Sequence, residues 1–285
     1  MASPRKYSST LLAATVLLLS ALSLPAQEKG EAEEVRPNPP EVRLNVIVTD
    51  NANRPVTDLR AEEFRVLEDG KEQSIKYFSR DEVPVSYGVV VDASGSQREL
   101  LNEIIEAGRK IVGGNRPPDE TFVMRFVDTD NIDVLQGLTS NKDALVEALD
   151  SIYIEGGLTA VNDAVDRAVE YLGKNGRAEK DATRRRAIVL ITDGEDRGSR
   201  LRNPDLLLNR LREAGVQFFI IGLSKIGKLQ SSREKAANLL TSMARETGGR
   251  VFFPNSRSEI SGVADEITRD LRAQYVIGYA PTNRA

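Results

Sequence analysis

The first candidate for chemistry in this sequence is a short polar segment that directly follows an apolar run. The run covers residues 87–91, and Asp92, Ser94 and Ser96 alternate immediately after it. Because these three residues lie two positions apart, a tight loop can direct all three side chains to one point. Carboxylate and hydroxyl oxygens suit a small, hard cation such as Mg²⁺. The segment therefore predicts part of a metal site.

Two further oxygen-bearing residues lie in comparable positions later in the chain. Thr159 follows a glycine-containing loop and opens a predicted helix, and Asp193 follows a second apolar strand at 187–191. The carboxyl ends of parallel strands meet at one edge of a sheet, so we expect the three loops to converge there. Together they supply three hydroxyls and two carboxylates, which fits an octahedral Mg²⁺ that keeps several waters. The predicted metal ligands are Asp92, Ser94, Ser96, Thr159 and Asp193, with Mn²⁺ or Ca²⁺ as alternative cations.

An alternation of strand and helix patterns begins at residue 85 and supplies the framework for these loops. The central apolar runs have the length and β-branched content of strands buried on both faces. We therefore predict an α/β fold, a Rossmann-like, doubly wound, mostly parallel sheet with a small N-terminal β module. Strands are expected at 87–91, 121–127, 132–135 (antiparallel), 187–191, 216–223 and 251–253, and the last helix at 260–271.

The small β module is predicted over residues 41–84. Alternating apolar residues at 42–48 predict a half-buried strand, and residues 68–71 carry a hairpin signal, after which 74–78 is the expected returning strand. The module has too little core to be stable alone. We expect another part of the chain to complete it, and the C-terminal segment 274–285 contains a strand pattern that can do so.

The composition excludes several classes of chemistry. The chain has no cysteine, histidine or tryptophan, which removes thiol nucleophiles, histidine-dependent triads, disulfides and zinc sites built from histidine or cysteine. The formal net charge is −4, which argues against nucleic acid or an anionic membrane as the main partner. The usual general base of a hydrolase is also missing.

The first 40 residues predict export. Residues 1–26 combine Arg5 and Lys6 with an apolar stretch at 11–24 and small residues before Ala26, as in a secretory signal peptide. Residues 27–40 are rich in Glu, Pro and Lys and predict a disordered linker. We expect a secreted or periplasmic protein without stable membrane insertion after cleavage; an uncleaved N-terminal anchor is the alternative.

Three motifs together resemble a known family. Asp-Ala-Ser-Gly-Ser at 92–96, Gly-Gly-Leu-Thr at 156–159 and Thr-Asp-Gly at 192–194 resemble the metal-ion-dependent adhesion site of a von Willebrand factor type A domain. The resemblance gives this domain the bounds 85–273. The flanking segments are similar to those of secreted, often acidobacterial, proteins related to this domain. Such proteins normally continue with further strand residues, so we expect a truncated chain, with residues 274–285 as a strand that returns to the β module.

The resemblance implies a role for each ligand. Ser94 and Ser96 would bind the cation directly, Thr159 directly or through water, and Asp92 and Asp193 would hold metal-bound waters and orient the hydroxyls. A carboxylate from an unknown protein partner would fill the open position, which implies a non-enzymatic adhesion or scaffold module. The resemblance also implies that binding can shift the last helix.

Other interpretations of these residues remain open at this point. Asp92 or Thr159 alone can be a helix cap, and Asp163 is expected to tie the loop backbone rather than bind metal. A Mg²⁺-dependent phosphoryl-transfer enzyme or phosphoacceptor is the alternative function, although Ser94 occupies the position where a haloacid-dehalogenase-type enzyme has its second aspartate. A metal-free scaffold is a third hypothesis.

Overall fold

The structure is a computed structural model that describes residues 42–52, 54–80, 83–177, 184–223, 226 and 231–282. The predicted signal peptide, the predicted linker and the last three residues lie outside this part of the chain. Among the described residues, no helix combines the length and hydropathy that crossing a bilayer requires.

A six-stranded sheet forms the centre of the fold, in the order β10-β9-β8-β5-β6-β7. Every pairing is parallel except that of β6 with β7. All residues of β5, β6 and β9 are buried, as expected for parallel strands covered on both faces. The predicted α/β fold class is therefore confirmed. The strands are β5 (Val85–Asp92), β6 (Glu120–Phe126), β7 (Ile132–Thr139), β8 (Arg185–Thr192), β9 (Val216–Gly222) and β10 (Val251–Phe252).

Six α-helices of the described residues cover the two faces of this sheet and form two cores. On one face, Ile104, Leu145 and Ile267 of α1, α2 and α6 pack with Val89 and Val91 of β5. On the other face, α3, α4 and α5 pack on the opposite side chains of the strands. The helices are α1 (Leu101–Gly113), α2 (Lys142–Asp150), α3 (Val161–Asn175), α4 (Pro204–Glu213), α5 (Ser231–Glu246) and α6 (Arg257–Asp270).

A second, three-stranded antiparallel sheet joins distant parts of the chain. The C-terminal strand β11 (Tyr275–Tyr279) lies between β1 (Val42–Val46) and β4 (Ile75–Ser79). An aromatic cluster covers it, with ring centroids of Phe64 and Tyr275 5.0 Å apart and those of Phe78 and Tyr275 5.7 Å apart. These rings pack with aliphatic side chains such as Val66 and Ile277 in a small core, which stabilises a sheet of this size.

The hairpin at residues 68–71 forms, but the predicted returning strand was wrong. Asp69 and Gly70 have φ values of 51° and 76°, which makes a two-residue turn with both central residues in the left-handed region. The chain therefore returns at once, and β2 (Val66–Glu68) pairs with β3 (Lys71–Gln73). The predicted 74–78 segment instead belongs to β4, which pairs with β11.

The last helix begins earlier than its apolar pattern predicts. α6 starts at Arg257 rather than at 260, because Ser256 provides an extended N-cap residue. The Glu259 carboxylate accepts the backbone N–H of Asn255 (2.9 Å). This contact satisfies one N–H group in front of the helix. The first turn of α6 is polar, so a prediction from the spacing of apolar residues does not include it.

Candidate metal centre

Asp92 ends β5 and lies fully buried at the carboxyl edge of the central sheet. The parallel register pairs Val91 with Ile191, so Asp92 and Thr192 lie side by side. One carboxylate oxygen, Oδ1, accepts the backbone N–H of Ser94 (3.0 Å). The other, Oδ2, accepts the Thr192 hydroxyl (2.7 Å). The orientation of this carboxylate is therefore fixed by two donors.

Asp193 places a second buried carboxylate close to Asp92. Burial, and then the charge of Asp193, raise the pKa of the Asp92 carboxyl to about 6. Two buried carboxylates side by side repel each other unless a proton or a cation intervenes. A divalent cation is often the largest local charge in such a site and reverses this repulsion. The pair therefore fits a metal ion.

Ser94 and Ser96 bring two hydroxyls to the same loop. Their Oγ atoms are 3.1 Å apart, and Ser94 begins a short 3₁₀ turn that covers Gly95–Gln97. The Ser94 side chain is buried beside Asp92, whereas Ser96 is exposed. Two neutral oxygens next to two carboxylates form the hard-oxygen donor set that Mg²⁺, Mn²⁺ and Ca²⁺ accept.

Thr159 reaches this region through its backbone. Its carbonyl oxygen accepts the N–H groups of Arg197 and Gly198 (both 2.9 Å), which are in the loop that follows Asp193. The loop that precedes Thr159 is also held against the loop after β5, because the Glu155 N–H donates to the Ala93 carbonyl (3.0 Å).

Asp92, Ser94, Ser96 and Asp193 are thus linked by hydrogen bonds or by the interaction of their charges. Thr159 is linked to this group by backbone hydrogen bonds to the loop that follows Asp193. Whether all five bind one ion stays a prediction. The competing interpretation of Thr159 as a helix cap was wrong, because Ala160 occupies the N-cap position of α3. Asp92 is likewise a strand residue and not a cap.

Two residues that hold the site were missed in the sequence. Thr192 fixes Asp92, and its Oγ also accepts the Gly194 N–H (3.0 Å). Gln97 is buried and donates from Nε2 to the Ser96 hydroxyl (3.2 Å). Thr192 had a signal in the sequence, since a hydroxyl in the last position of β8 must lie beside the end of β5. Gln97 had none.

Asp163 ties the loop backbone, as predicted. Its carboxylate accepts the N–H groups of Arg200 and Leu201 (both 2.8 Å) and the hydroxyl of Thr129. Burial alone would raise the pKa of this carboxyl, but these hydrogen bonds outweigh it and lower the pKa. Asp163 therefore acts as a charged anchor for the loop beyond Asp193.

The other acidic residues of the loop that follows Asp193 (the third loop of the proposed site) also form local ion pairs and hydrogen bonds. Glu195 pairs with Arg197 (2.9 Å), and Asp196 accepts the N–H groups of Ser199 (3.1 Å) and Asn162 (3.3 Å). In the part of the chain that the structure describes, no three aspartate or glutamate side chains cluster closely enough to hold a metal ion. Among the described residues, a cation at this edge of the sheet would therefore need oxygen ligands other than a third carboxylate.

Comparisons with known proteins identify relatives of this fold. A sequence profile of the von Willebrand factor type A domain matches residues 88–266. A von Willebrand factor type A protein from Catenulispora acidiphila superposes with a TM-score of 0.55 at 16% identity, over 67% of this chain and 43% of that one. A comparison with curated protein sequences gives no significant match.

Two other solved structures share the fold. Proximal thread matrix protein 1 from the mussel byssus, in a structure with a zinc-occupied MIDAS motif, matches with a TM-score of 0.52 and 20% identity, over 73% of this chain and 50% of that one. The pilus adhesin SpaC from Lactobacillus rhamnosus GG, in its open conformation, matches with a TM-score of 0.52 and 13% identity, over 67% and 30%. At such identities the likeness shows the fold alone.

Proposed function

This chain belongs to the von Willebrand factor type A family, and on that premise we propose that it is a non-enzymatic, metal-dependent protein-binding module that acts outside the cytoplasm. A divalent cation, with Mg²⁺ as the first choice and Mn²⁺ or Ca²⁺ as alternatives, is held at the carboxyl edge of the central sheet. A carboxylate of a protein partner completes its coordination. The proposed ligands are Asp92, Ser94, Ser96, Thr159 and Asp193.

The single observation that carries this proposal is the buried pair of carboxylates beside two hydroxyls. Asp92 and Asp193 are both buried, and the neighbouring donors of Asp92 are a hydroxyl and a backbone N–H. A divalent cation stabilises this charge directly. The zinc-occupied motif named for the mussel protein supports a divalent cation in a relative of the same fold.

The chemistry that the cation supplies is an electrophilic site for an acid. Serine and threonine hydroxyls are neutral, so a cation held by them keeps more of its charge than one surrounded by carboxylates. Thr192 and the Ser94 N–H hold Asp92, Gln97 holds Ser96, and Asp163 holds the third loop. These contacts preorganise the ligands, which reduces the entropy that is lost when the cation binds.

The surroundings of the site support a protein partner. Leu158, next to Thr159, is 61% exposed, and Tyr153 at the start of the same loop is 54% exposed. Arg125 lies over the Tyr153 ring, with its guanidinium carbon 4.2 Å from the ring centroid. Exposed aromatic and aliphatic side chains near a charged centre are common where proteins bind each other.

In the described residues, no observation favours the alternative function, a phosphoryl-transfer enzyme. A nucleophilic aspartate must be reached by the phosphoryl donor, but Asp92 is fully buried. Ser94 also stands where a proton-donating aspartate would be required. The binding module therefore accounts for more of the geometry.

Capture of a partner tests the proposed function. Immobilised protein is expected to retain a partner from an envelope fraction in the presence of Mg²⁺ and to release it with a chelator, because the bound acid contacts the cation. The Asp193→Ala variant should retain nothing under either condition. Retention that is equal with and without chelator, in both proteins, would contradict the proposal.

We also propose that the chain is exported, because residues 1–26 have the charge and hydropathy pattern of a signal peptide. Fractionation of cells that express the natural chain tests this. A mature protein that begins at Gln27 in the extracytoplasmic fraction is expected. Recovery in the cytoplasm with Met1 intact would contradict export.

A glycine in the third loop provides a prediction that changes no ligand. A Cβ atom at Gly198 would lie 2.2 Å from the Leu158 carbonyl oxygen, so Gly198→Ala must push the third loop away from Thr159. We expect the affinity for Mg²⁺ to fall by about tenfold or more, an effect of at least ~1.4 kcal/mol, measured by calorimetric titration. Gly173→Ala in α3, where a Cβ meets open space, is the control. Equal affinity in both variants would show that the contact between the loops does not position the site.

A further inference from the structure

A cavity lies far from the proposed metal site, where the end of α6 meets the edge of the small sheet. Its volume is about 480 Å³, and its lining includes Arg80, Arg269, Arg272 and Gln274. None of the described residues that line it is acidic. The described part of the lining is therefore positively charged, in a protein whose overall charge is negative.

Two of the three guanidinium groups are unpaired within the described part of the chain. Arg80 and Arg269 form no ion pair with a described residue, and both are exposed at the mouth. The described lining residues include no carboxylate that would balance the charge of either group. Such groups are available to an incoming anion without breaking an existing contact.

Arg272 is held in place but keeps unused donors. Its Nη2 donates to the buried Asp119 carboxylate (2.8 Å) and to the Gly114 carbonyl (3.1 Å). Its Nε and Nη1 are buried and have no hydrogen-bond partner among the described residues. Unsatisfied buried donors on a charged group are costly. These two nitrogens are not accessible from the cavity, so Arg272 adds positive charge to its wall, and this charge is shared with Asp119.

Gln274 lies in the wall of the cavity and is held in place. Its Nε2 donates to the Asp270 carbonyl (2.8 Å), which fixes the amide. Its Oε1 is buried and is not accessible from the cavity. The groups that an incoming ligand can contact directly are therefore the two exposed guanidinium groups of Arg80 and Arg269.

The size of the cavity favours an organic ligand over a simple ion. Cavities of about 300–1,000 Å³ are typical of small-molecule sites, and a bare phosphate or sulfate fills only a small part of such a volume. We propose that this cavity binds a small organic anion with at least two negative charges, either a polycarboxylate or a phosphate monoester. Arg80 and Arg269 bind its oxyanion groups, and the charge of Arg272 adds to the attraction.

Calorimetric titration of the mature chain, in metal-free buffer at constant ionic strength, tests the proposal. The probes are citrate as a polycarboxylate, 3-phosphoglycerate as a phosphate monoester, and acetate as a single carboxylate. Saturable binding of citrate or 3-phosphoglycerate supports the proposal, and the tighter of the two identifies the anionic group. Acetate is expected to bind at least about tenfold more weakly, since it engages fewer guanidinium groups.

Variants of the exposed arginines test whether the anion binds in this cavity. The double variant Arg80→Gln/Arg269→Gln is expected to weaken binding by about tenfold or more and to leave the fold intact, because both residues are exposed. Arg257→Gln, at the other end of α6 and paired with Glu99 (2.7 Å), is the control and should bind as the wild type does. No saturable binding of either polyanion, or equal binding by the double variant, would overturn the proposal.

Discussion

Replacing Asp92 with asparagine is expected to make the metal-free protein more stable, although Asp92 is a proposed metal ligand. Burial and the charge of Asp193 raise the pKa of the Asp92 carboxyl to about 6, from an ordinary value of 3.8. The ionised carboxylate therefore lowers the free energy of unfolding by up to about 3 kcal/mol above pH 7. Asparagine has no charge to bury and keeps an oxygen that accepts the Ser94 N–H.

Urea denaturation in the presence of a chelator measures this effect. We expect Asp92→Asn to raise the free energy of unfolding by about 1–3 kcal/mol near pH 8, with the lower value if the contact with Thr192 is weakened. Adding Mg²⁺ should stabilise the wild type and leave the variant unchanged. Asp163→Asn is the matched control, and it should destabilise the protein because the hydrogen bonds of Asp163 lower its carboxyl pKa. A metal-free Asp92→Asn protein that is less stable than the wild type would refute this account of the pair.

The stability of the metal-free protein is also expected to depend on pH in a way that Asp92→Asn removes. A carboxyl whose pKa is raised in the folded state retains its proton there at a pH where the unfolded chain has lost it. The contribution of this group to the free energy of unfolding is therefore fully present below about pH 4 and is lost as the pH rises through about 6. The difference in stability between Asp92→Asn and the wild type should be near zero at about pH 4 and reach its full value at about pH 7.

Comparing the two proteins isolates this group from the other buried carboxyls. The pKa of the Asp270 carboxyl is raised by burial, and that of Asp119 is lowered by hydrogen bonds to Arg272 and two backbone N–H groups, which outweigh its burial. Both contribute equally to the wild type and to the variant. Denaturation curves at several pH values, with chelator, provide the measurement. A difference that stays constant with pH would mean that Asp92 is not the titrating group.

The central sheet was predictable because its signal is local. All eight residues of β5 are buried, so its apolar run in the sequence reports directly on a strand covered on both faces. The polar residues after it mark the end of the strand. The same reasoning applies to β8 and Asp193, which is why the sequence alone placed these groups at one edge of the sheet.

The small sheet was less predictable because its pairings are not local. Val42 pairs with Tyr279 and Ile75 pairs with the same residue from the other side, and no periodicity shows which distant segments pair. The Asp69–Gly70 turn also supports either a short or a long hairpin. The position of Gln97 was likewise unpredictable, because its role depends on the 3₁₀ turn that places it below Ser96.

The most direct test of the metal site is a calorimetric titration of the mature chain with Mg²⁺ and Mn²⁺. The account predicts one ion bound per chain in the wild type, and a loss of affinity of about a hundredfold or more in Asp193→Ala, since one of two charged groups at the ion is removed. Asp58→Ala, which removes an exposed carboxylate in the small β module, should bind as the wild type does. Unchanged binding in Asp193→Ala, or no binding in the wild type, would contradict the claim that these loops hold a divalent cation.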